Sequence, residues 1–268
     1  MVTVVDCFNF FRDFSTNELL KDRKLSDMEG DSRRIVNLLT DQIEFANVIV
    51  LNKADLVDAA TLGILKAAIS KLNPAARIST ASFGNVDPEE VLNTGLFDFE
   101  EAQYSAGWQK ELAEKEHLPE TEEYGIGSFV FRSRKPFHPE RFWKYLNEAY
   151  PVEIIRAKGL FWLSSRPDEA LNFSQAGGSS RMERAGVWWC SMPFGDRMKY
   201  ASFADNRELI ESRWDKRWGD RMNELVFIGQ YLDREKIIAD LEDCLVHDNE
   251  WHAFDRNRTA NDPFPLNL

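Results

Sequence analysis

A chain of 268 residues is long enough to bury a substantial core, either in one large domain or in two modest ones. Hydrophobic residues make up 43% of the chain and charged residues 29%, a composition that excludes disorder over the whole length. The net charge of -12 would repel a phosphate backbone, so we expect no nucleic-acid partner.

The cysteines and the hydropathy pattern indicate the cell compartment. Cys7, Cys190 and Cys244 are scattered along the chain, which is typical of reduced thiols rather than of a disulfide framework. No signal peptide or long apolar run is visible in the sequence. We therefore expect a cytoplasmic protein that has no membrane partner.

Strand and helix patterns alternate along residues 1–98. The strands are continuous apolar runs and the helices have apolar residues at helical spacing; in chain order the segments are 2–6, 31–47, 48–52, 59–72 and 76–80. Continuous apolar strands are typical of a parallel sheet that is covered on both faces, with helices in right-handed crossovers. We predict that residues 1–98 form part of a mostly parallel α/β sheet.

The remainder of the chain predicts a linker, a second domain and a tail. Residues 99–123 are acidic and poor in β-branched residues, as expected of a linker. Residues 124–250 predict an α+β domain with a mainly antiparallel sheet and two helices, which open at Pro139 and Asp233. The predicted strands of this domain are 127–134, 159–165, 185–192 and 223–232. Residues 251–268 have no period and are expected to form a loose tail.

The segment Asn52-Lys53-Ala54-Asp55 follows the second predicted strand. Ligands of open α/β sheets bind beyond the carboxyl ends of the strands, which is where this segment lies. A fixed carboxylate at Asp55 can accept both of the adjacent N–H groups on one edge of guanine, whereas adenine presents the wrong pattern of donors and acceptors. The segment therefore predicts guanine recognition. The alternative is that Asp55 only caps the following helix.

Other residues near the strand ends are candidates for the same guanine site. The stem of Lys53 can lie along the base plane, and Asn52 can either tie neighbouring loops together or contact the other edge of the base. Ser79 and Ala81 lie at the end of the third predicted strand, where a backbone contact to the guanine oxygen would add to a guanine site.

A second group of polar residues lies in the segment CLVHDNEWH. Cys244, His247 and His252 are candidate metal ligands, since a C-x-x-H step at one helical turn can hold a borderline-soft ion. No second pair of strong ligands is visible in the sequence. The alternative is a helix end with a buried thiol and solvated polar neighbours, and we predict no metal site in this chain.

Several blocks resemble the CobW-type GTPases of the CobW/HypB/UreG group. In the order of that family, these blocks are QIEFANVIVLNKADLV, SFVFRSRKPFHPERFW, KGLFWLSSRPDE and WGDRMNELVFIG. The resemblance implies a GTPase domain followed by a CobW C-terminal domain, in a family of zinc metallochaperones that use GTP with Mg²⁺ and carry Zn²⁺. It also implies guanine nucleotide as a partner and a client metalloprotein that binds the C-terminal domain.

The family's first motifs, which precede the strand that corresponds to residues 2–6, do not occur in that order in these 268 residues. They are a phosphate loop of the form G-x-x-x-x-G-K-S/T, a C-x-C-C motif and an E-x-x-G segment. We therefore expect a family member truncated at its N-terminus, which has no catalytic residue of its own, holds guanine nucleotide weakly at most and does not hydrolyse GTP alone. The alternative is a non-catalytic fragment that binds a protein through its C-terminal domain.

The block from Gly219 to Glu224 also matches the family, but the sequence does not indicate its role. The simplest interpretation is a turn that an Asp–Arg pair stabilises. The client, the metal and the oligomeric state are likewise not predicted by the sequence.

Overall fold

The structure is a computed structural model in which the described residues are 1–16, 18–20, 22–23, 34–98, 112, 123–248, 250 and 261–265. Nearly all of the predicted linker lies outside these residues, as does most of the predicted tail. Among the described helices, none is long and apolar enough to cross a membrane. Residues 1–98 are called the first region below, and residues 123–265 the second region.

The first region is a three-stranded parallel sheet with helices, as predicted. Its elements are β1 (Val2–Asp6), α1 (Phe10–Phe14), α2 (Ile35–Glu44), β2 (Val48–Asn52), α3 (Ala59–Leu72), β3 (Arg77–Thr80) and α4 (Pro88–Val91). The strand order is β1-β2-β3, and both pairs of neighbours are parallel. Four of the five residues of the central strand β2 are buried, which explains its continuous apolar run.

The second region is built on a five-stranded antiparallel sheet, which confirms the predicted α+β class. Its strands are β4 (Ile126–Ser133), β5 (Ile154–Phe161), β6 (Glu169–Ala176), β7 (Ser179–Val187) and β8 (Asn223–Gln230), in the order β4-β8-β5-β6-β7. Its helices are α5 (Pro139–Lys144), α6 (Phe194–Arg197), α7 (Ala201–Ala204), α8 (Arg207–Ser212) and α9 (Arg234–Asp243). Helix α9 begins as predicted, because the Asp233 side chain accepts a hydrogen bond from the N–H of Lys236.

Three strands of this sheet differ from the prediction. Strand β5 spans Ile154–Phe161 instead of 159–165. The strand expected over 185–192 ends at Val187, because Trp189–Ser191 form a 3₁₀ turn. Strand β6 was not predicted, since its sequence EALNFSQA lacks a clean alternation of apolar and polar residues.

Strand β8 joins the two regions, because both of its faces are buried. Leu225 and Phe227 lie in the core of the second region, which includes Leu241 of α9. Val226 and Ile228 point to the other face and belong to the core of the first region. The two regions therefore share apolar packing, to which β8 contributes together with Ala176 of β6.

A buried ion pair also connects the regions. The Arg156 side chain on β5 donates from Nε to Oε1 of Glu44 at 2.7 Å and from Nη2 to Oε2 at 3.2 Å. The two side chains are 4% and 1% exposed. Arg156 also donates to Ser174 Oγ at 3.0 Å, so the guanidinium is held by both α2 and β6. Because both charges are removed from water, each depends on the other for its compensation.

Part of the predicted tail is packed against the second region. Phe264 is 1% exposed and belongs to the aromatic core. Arg166 donates to Oδ2 of Asp262 at 2.8 Å and to the carbonyl of Phe264 at 2.9 Å. The prediction of a loose tail is therefore wrong for residues 261–265, where an aromatic anchor and an ion pair hold the chain.

The block from Gly219 to Glu224 is hydrogen-bonded to the 3₁₀ turn Trp189–Ser191. The carboxylate of Asp220 accepts hydrogen bonds from the backbone N–H groups of Trp189 and Cys190, both at 2.8 Å. Arg221 donates to Ser191 Oγ at 2.9 Å. The expected Asp–Arg pair within the turn does not form, because Asp220 binds backbone N–H groups instead.

Candidate functional site

The carboxyl ends of the three parallel strands lie side by side. In register, Asp6 at the end of β1 is the partner of Asn52 at the end of β2, and Leu51 is the partner of Thr80. The pairing continues past the strand ends, since the Ala81 N–H donates to the Leu51 carbonyl at 2.9 Å. The residues that follow the strands therefore meet at one edge of the sheet, the usual position of a ligand in this architecture.

Asp55 lies in a 3₁₀ turn, Ala54–Leu56, and is exposed. Among the residues that the structure describes, its carboxylate has no hydrogen-bond or ion-pair partner. The N-cap of α3 is Asp58, which accepts a hydrogen bond from the Thr61 N–H at 2.7 Å. The alternative that Asp55 caps this helix is therefore wrong. Its carboxylate is free to accept hydrogen bonds from a ligand.

The Asn52 side chain ties a neighbouring loop to the end of β2. Its Oδ1 accepts a hydrogen bond from the Gly84 N–H at 2.9 Å. The loop of residues 82–85 is closed further by a hydrogen bond from the Asn85 N–H to the Ser82 carbonyl at 3.1 Å. Of the two roles considered for Asn52, this contact supports the tying of loops.

Lys53 is held by an acidic residue of the adjacent strand. Its backbone is left-handed, with φ +59°, and its Nζ lies 2.6 Å from Oδ2 of Asp6. Asp6 also accepts hydrogen bonds from the Phe8 N–H at 3.0 Å and from Asn9 Nδ2 at 2.8 Å. Partial burial acts to raise the pKa of Asp6, but the hydrogen bonds from Lys53 and Asn9 outweigh it and lower this pKa below 3.8.

Asp6 also lies at the candidate site, through its contact with Lys53, and was not predicted from the sequence. The signal was present, because Asp6 follows an apolar strand as the Asn52–Asp55 segment does. Its ionised carboxylate fixes the ammonium group of Lys53 at the β1 side of the strand ends. This orients the stem of Lys53, which is the part expected to lie along a base.

Ser79 and Ala81 lie at the end of β3, one inside the strand and the other directly after it. Ser79 lies inside β3, opposite Val50, and its Oγ is buried without a hydrogen bond among the described residues. The N–H of Ala81 is engaged by Leu51, and its carbonyl accepts from the Ala54 N–H at 3.1 Å. Ala81 thus supports the turn that carries Asp55, rather than offering a free donor.

The candidate metal ligands are not brought together by the described structure. Burial raises the pKa of the Cys244 thiol to about 12, which disfavours the thiolate that binds metal. The backbone N–H of His247 donates to Oε2 of Glu250 at 2.9 Å. Within the described part of the chain, no group of three or more His, Cys, Asp or Glu residues could hold a metal ion. His252 lies outside the described residues.

Two protein families match the chain. The family described as "CobW/HypB/UreG, nucleotide-binding domain" matches residues 1–80. The family described as "Cobalamin synthesis protein cobW C-terminal domain" matches residues 126–245. These ranges fall within the two regions of the structure and include all three strands of the parallel sheet.

Curated relatives of this chain are larger proteins. Zinc-regulated GTPase metalloprotein activator 1 of Dictyostelium discoideum is 38% identical over 253 residues, which cover 93% of this chain and 52% of that protein. A zinc chaperone of Mycobacterium tuberculosis is 27% identical over 276 residues, with coverages of 98% and 60%. The zinc chaperone YjiA of Escherichia coli is 23% identical over 203 residues, with coverages of 74% and 52%.

The chain spans about half the length of the first of these relatives. Its sequence matches nonetheless cover 93% and 98% of this chain for the first two relatives. The chain therefore belongs to the CobW family, with a CobW/HypB/UreG nucleotide-binding domain followed by a CobW C-terminal domain.

Proposed function

We propose that this chain carries the guanine-recognition half of a GTP-dependent zinc metallochaperone. In the whole protein, GTP binding and hydrolysis would be coupled to the transfer of zinc to a client metalloprotein, which the C-terminal domain would contact. The observation that carries this proposal is the exposed Asp55 carboxylate, which has no partner among the described residues at the carboxyl edge of the sheet. The names of the curated relatives support the coupling to zinc and GTP.

Asp55 would select guanine by accepting both adjacent N–H groups of the base. A carboxylate only accepts hydrogen bonds, so it matches this edge of guanine and not the corresponding edge of adenine. Hydrogen bonds to a charged group contribute about 1.5–3 kcal/mol, which corresponds to a preference of roughly ten- to a hundredfold. Lys53, which is held by Asp6, would support the base face, while Asn52 maintains the adjacent loop.

The residues present fit the base of GTP but not its phosphates. A triphosphate with Mg²⁺ needs a nest of backbone N–H groups, a lysine and a hydroxyl, as a phosphate loop provides. The sequence contains no G-x-x-x-x-G-K-S/T segment. We therefore assign no hydrolytic step to this chain, and weak binding of guanine nucleotide is the activity expected of it alone.

The test is a titration of the purified chain with a fluorescent guanine nucleotide and with its adenine counterpart. Wild type should prefer guanine, and Asp55→Ala should lose that preference without losing stability. Asp58→Ala is the matched control, because it removes a carboxylate three residues away that caps α3. This control should lower the free energy of unfolding by about 1 kcal/mol and keep the preference for guanine.

Two results would contradict the proposal. One is equal binding of the guanine and adenine nucleotides by wild type. The other is a preference for guanine that survives in Asp55→Ala.

A further inference from the structure

Both the solvent exposure and the backbone conformation of Phe83 are unfavourable. Its side chain is 93% exposed, and its backbone is left-handed with φ +57°. An apolar ring in water and a non-glycine residue in this backbone region both cost free energy. Burial of the ring against a ligand would offset the first of these costs.

The loop that carries Phe83 is anchored at the candidate guanine site. The next residue, Gly84, donates its N–H to the Asn52 side chain at 2.9 Å. On the other side of the loop, the Ala81 carbonyl accepts from the Ala54 N–H at 3.1 Å, next to Asp55 in the chain. Phe83 and the free carboxylate are therefore attached to the same strand end, each through a short hydrogen-bonded link.

The neighbours of Phe83 along the chain distinguish it from a protein-docking patch. They are Ser82, Gly84 and Asn85, none of which has a large apolar side chain. A single aromatic ring on a polar loop is suited to one small planar ligand. Purines are such ligands, because every base has a π-face that can stack on an aromatic side chain.

We propose that Phe83 stacks on the face of the purine whose edge Asp55 recognises. This assignment rests on the proposed function and gives Phe83 and Asp55 different roles in one site. Stacking tolerates any base, so Phe83 would supply affinity, whereas the Asp55 carboxylate would supply the choice of guanine. The two contributions are separable by substitution.

The experiment compares wild type with Phe83→Ala, Phe83→Trp and the control Phe97→Ala. Phe97 is also an exposed aromatic residue of the first region, at 63%. Phe83→Ala should weaken binding of fluorescent guanine and adenine nucleotides alike by about tenfold, leaving their ratio unchanged. Phe83→Trp should bind within about twofold of wild type, because a larger π-face replaces the ring. Phe97→Ala should bind as wild type does.

A spectroscopic readout distinguishes stacking from an indirect effect on the loop. With GMP as the probe, the ring current of a stacked aromatic should shift the H8 resonance of the base upfield in wild type and in Phe83→Trp. The shift should vanish in Phe83→Ala. The thermal unfolding midpoints of Phe83→Ala and Phe83→Trp should match that of wild type, since the Phe83 ring is almost fully exposed.

The outcomes separate this inference from the proposed function. If wild type shows an Asp55-dependent preference and Phe83→Ala binds as tightly as wild type, the stacking role is overturned while guanine recognition stands. If Phe83→Trp binds as weakly as Phe83→Ala or shows no H8 shift, the stacking role is likewise overturned. If wild type shows no preference for guanine, the proposed function fails and the role of Phe83 fails with it.

Discussion

A closely packed aromatic core lies in the second region, whereas the most exposed phenylalanine that the structure describes lies in the first region. In the second region Phe142 is fully buried and stacks on Phe137, with ring centroids 4.0 Å apart and an angle of 7° between the planes. In the first region Phe83 stands in solvent, and Val4 on the edge strand β1 is 63% exposed. The second region therefore holds a dense aromatic core, whereas Phe83 and Val4 of the first region present apolar surface that another molecule could cover.

This comparison indicates where stability and binding reside. The second region should dominate the free energy of unfolding, and substitutions at the strand ends of the first region should change binding more than stability. Four substitutions test this division, in order of decreasing expected effect.

Phe142→Ala should produce the largest loss of stability. It removes a fully buried ring from the aromatic core, and a change of this kind costs about 3–5 kcal/mol. The free energy of unfolding from urea denaturation measures the effect. Phe97→Ala is the control at an exposed position and should change it by less than about 0.5 kcal/mol. A small effect of Phe142→Ala would mean that this aromatic core contributes little to the stability of the chain.

Glu44→Ala should cost about 3 kcal/mol, because it leaves the Arg156 guanidinium buried without its counter-charge. The double variant Glu44→Ala, Arg156→Met should recover most of that loss, since no charge then remains buried. Denaturation followed by both tryptophan fluorescence and circular dichroism would show whether the two regions still unfold together. Equal destabilisation in the single and double variants would rule out the stranded charge as the cause.

Asn73→Ala should cost about 2 kcal/mol in the first region. Asn73 is fully buried after α3, and its Nδ2 donates to the carbonyls of Ile43 and Ala46, both at 2.8 Å. Its Oδ1 accepts from the Ala76 N–H at 3.1 Å, so removing the amide leaves buried polar groups unsatisfied. The urea midpoint measures the loss. Asn85→Ala, on an exposed loop, is the matched control and should leave this midpoint unchanged.

Glu250→Gln should have the smallest effect, and that effect should depend on pH. The hydrogen bonds from Arg141, at 2.8 and 2.9 Å, lower the pKa of Glu250 to about 2 from 4.5. A carboxylate whose folded pKa is depressed stabilises the fold above about pH 4.5, and this contribution is lost as the pH falls towards 2. Because the pair is partly exposed, we expect about 1 kcal/mol at pH 7.

The measurement is the difference in unfolding free energy between wild type and Glu250→Gln at pH 7 and pH 3. The difference should shrink at the lower pH. Glu148→Gln, which removes one partner of an exposed and longer ion pair, should show no such trend. A difference that does not change with pH would contradict the depressed pKa.

The fold was predictable where burial leaves a local pattern. Strands β1, β2 and β8 are apolar runs, and they were identified from the sequence. Strand β5 begins at Ile154, earlier than predicted. Its start was missed because Arg156 interrupts the apolar pattern, and its buried partner Glu44 lies 112 residues away in the chain. Local periodicity cannot show that a charged residue will be buried by a distant counter-charge.

The candidate site was predictable only in part, for a similar reason. Asp55 was identified from its spacing after a strand, whereas Asp6 and Phe83 are brought to the site by strand pairing and by the hydrogen bond between Gly84 and Asn52. The backbone contact expected at Ser79 or Ala81 stays a prediction. Strand pairing continues one residue beyond β3 and already uses the N–H of Ala81.

Lys53 and Phe83 share a backbone conformation that glycine or asparagine would adopt at lower cost, with φ of +59° and +57°. Directed evolution that rewards heat resistance alone would therefore tend to replace both residues. Variants recovered in that way would melt later and yet lose the two side chains that are proposed to contact the base. Libraries built on this scaffold should select for ligand capture in the same round as for thermal survival.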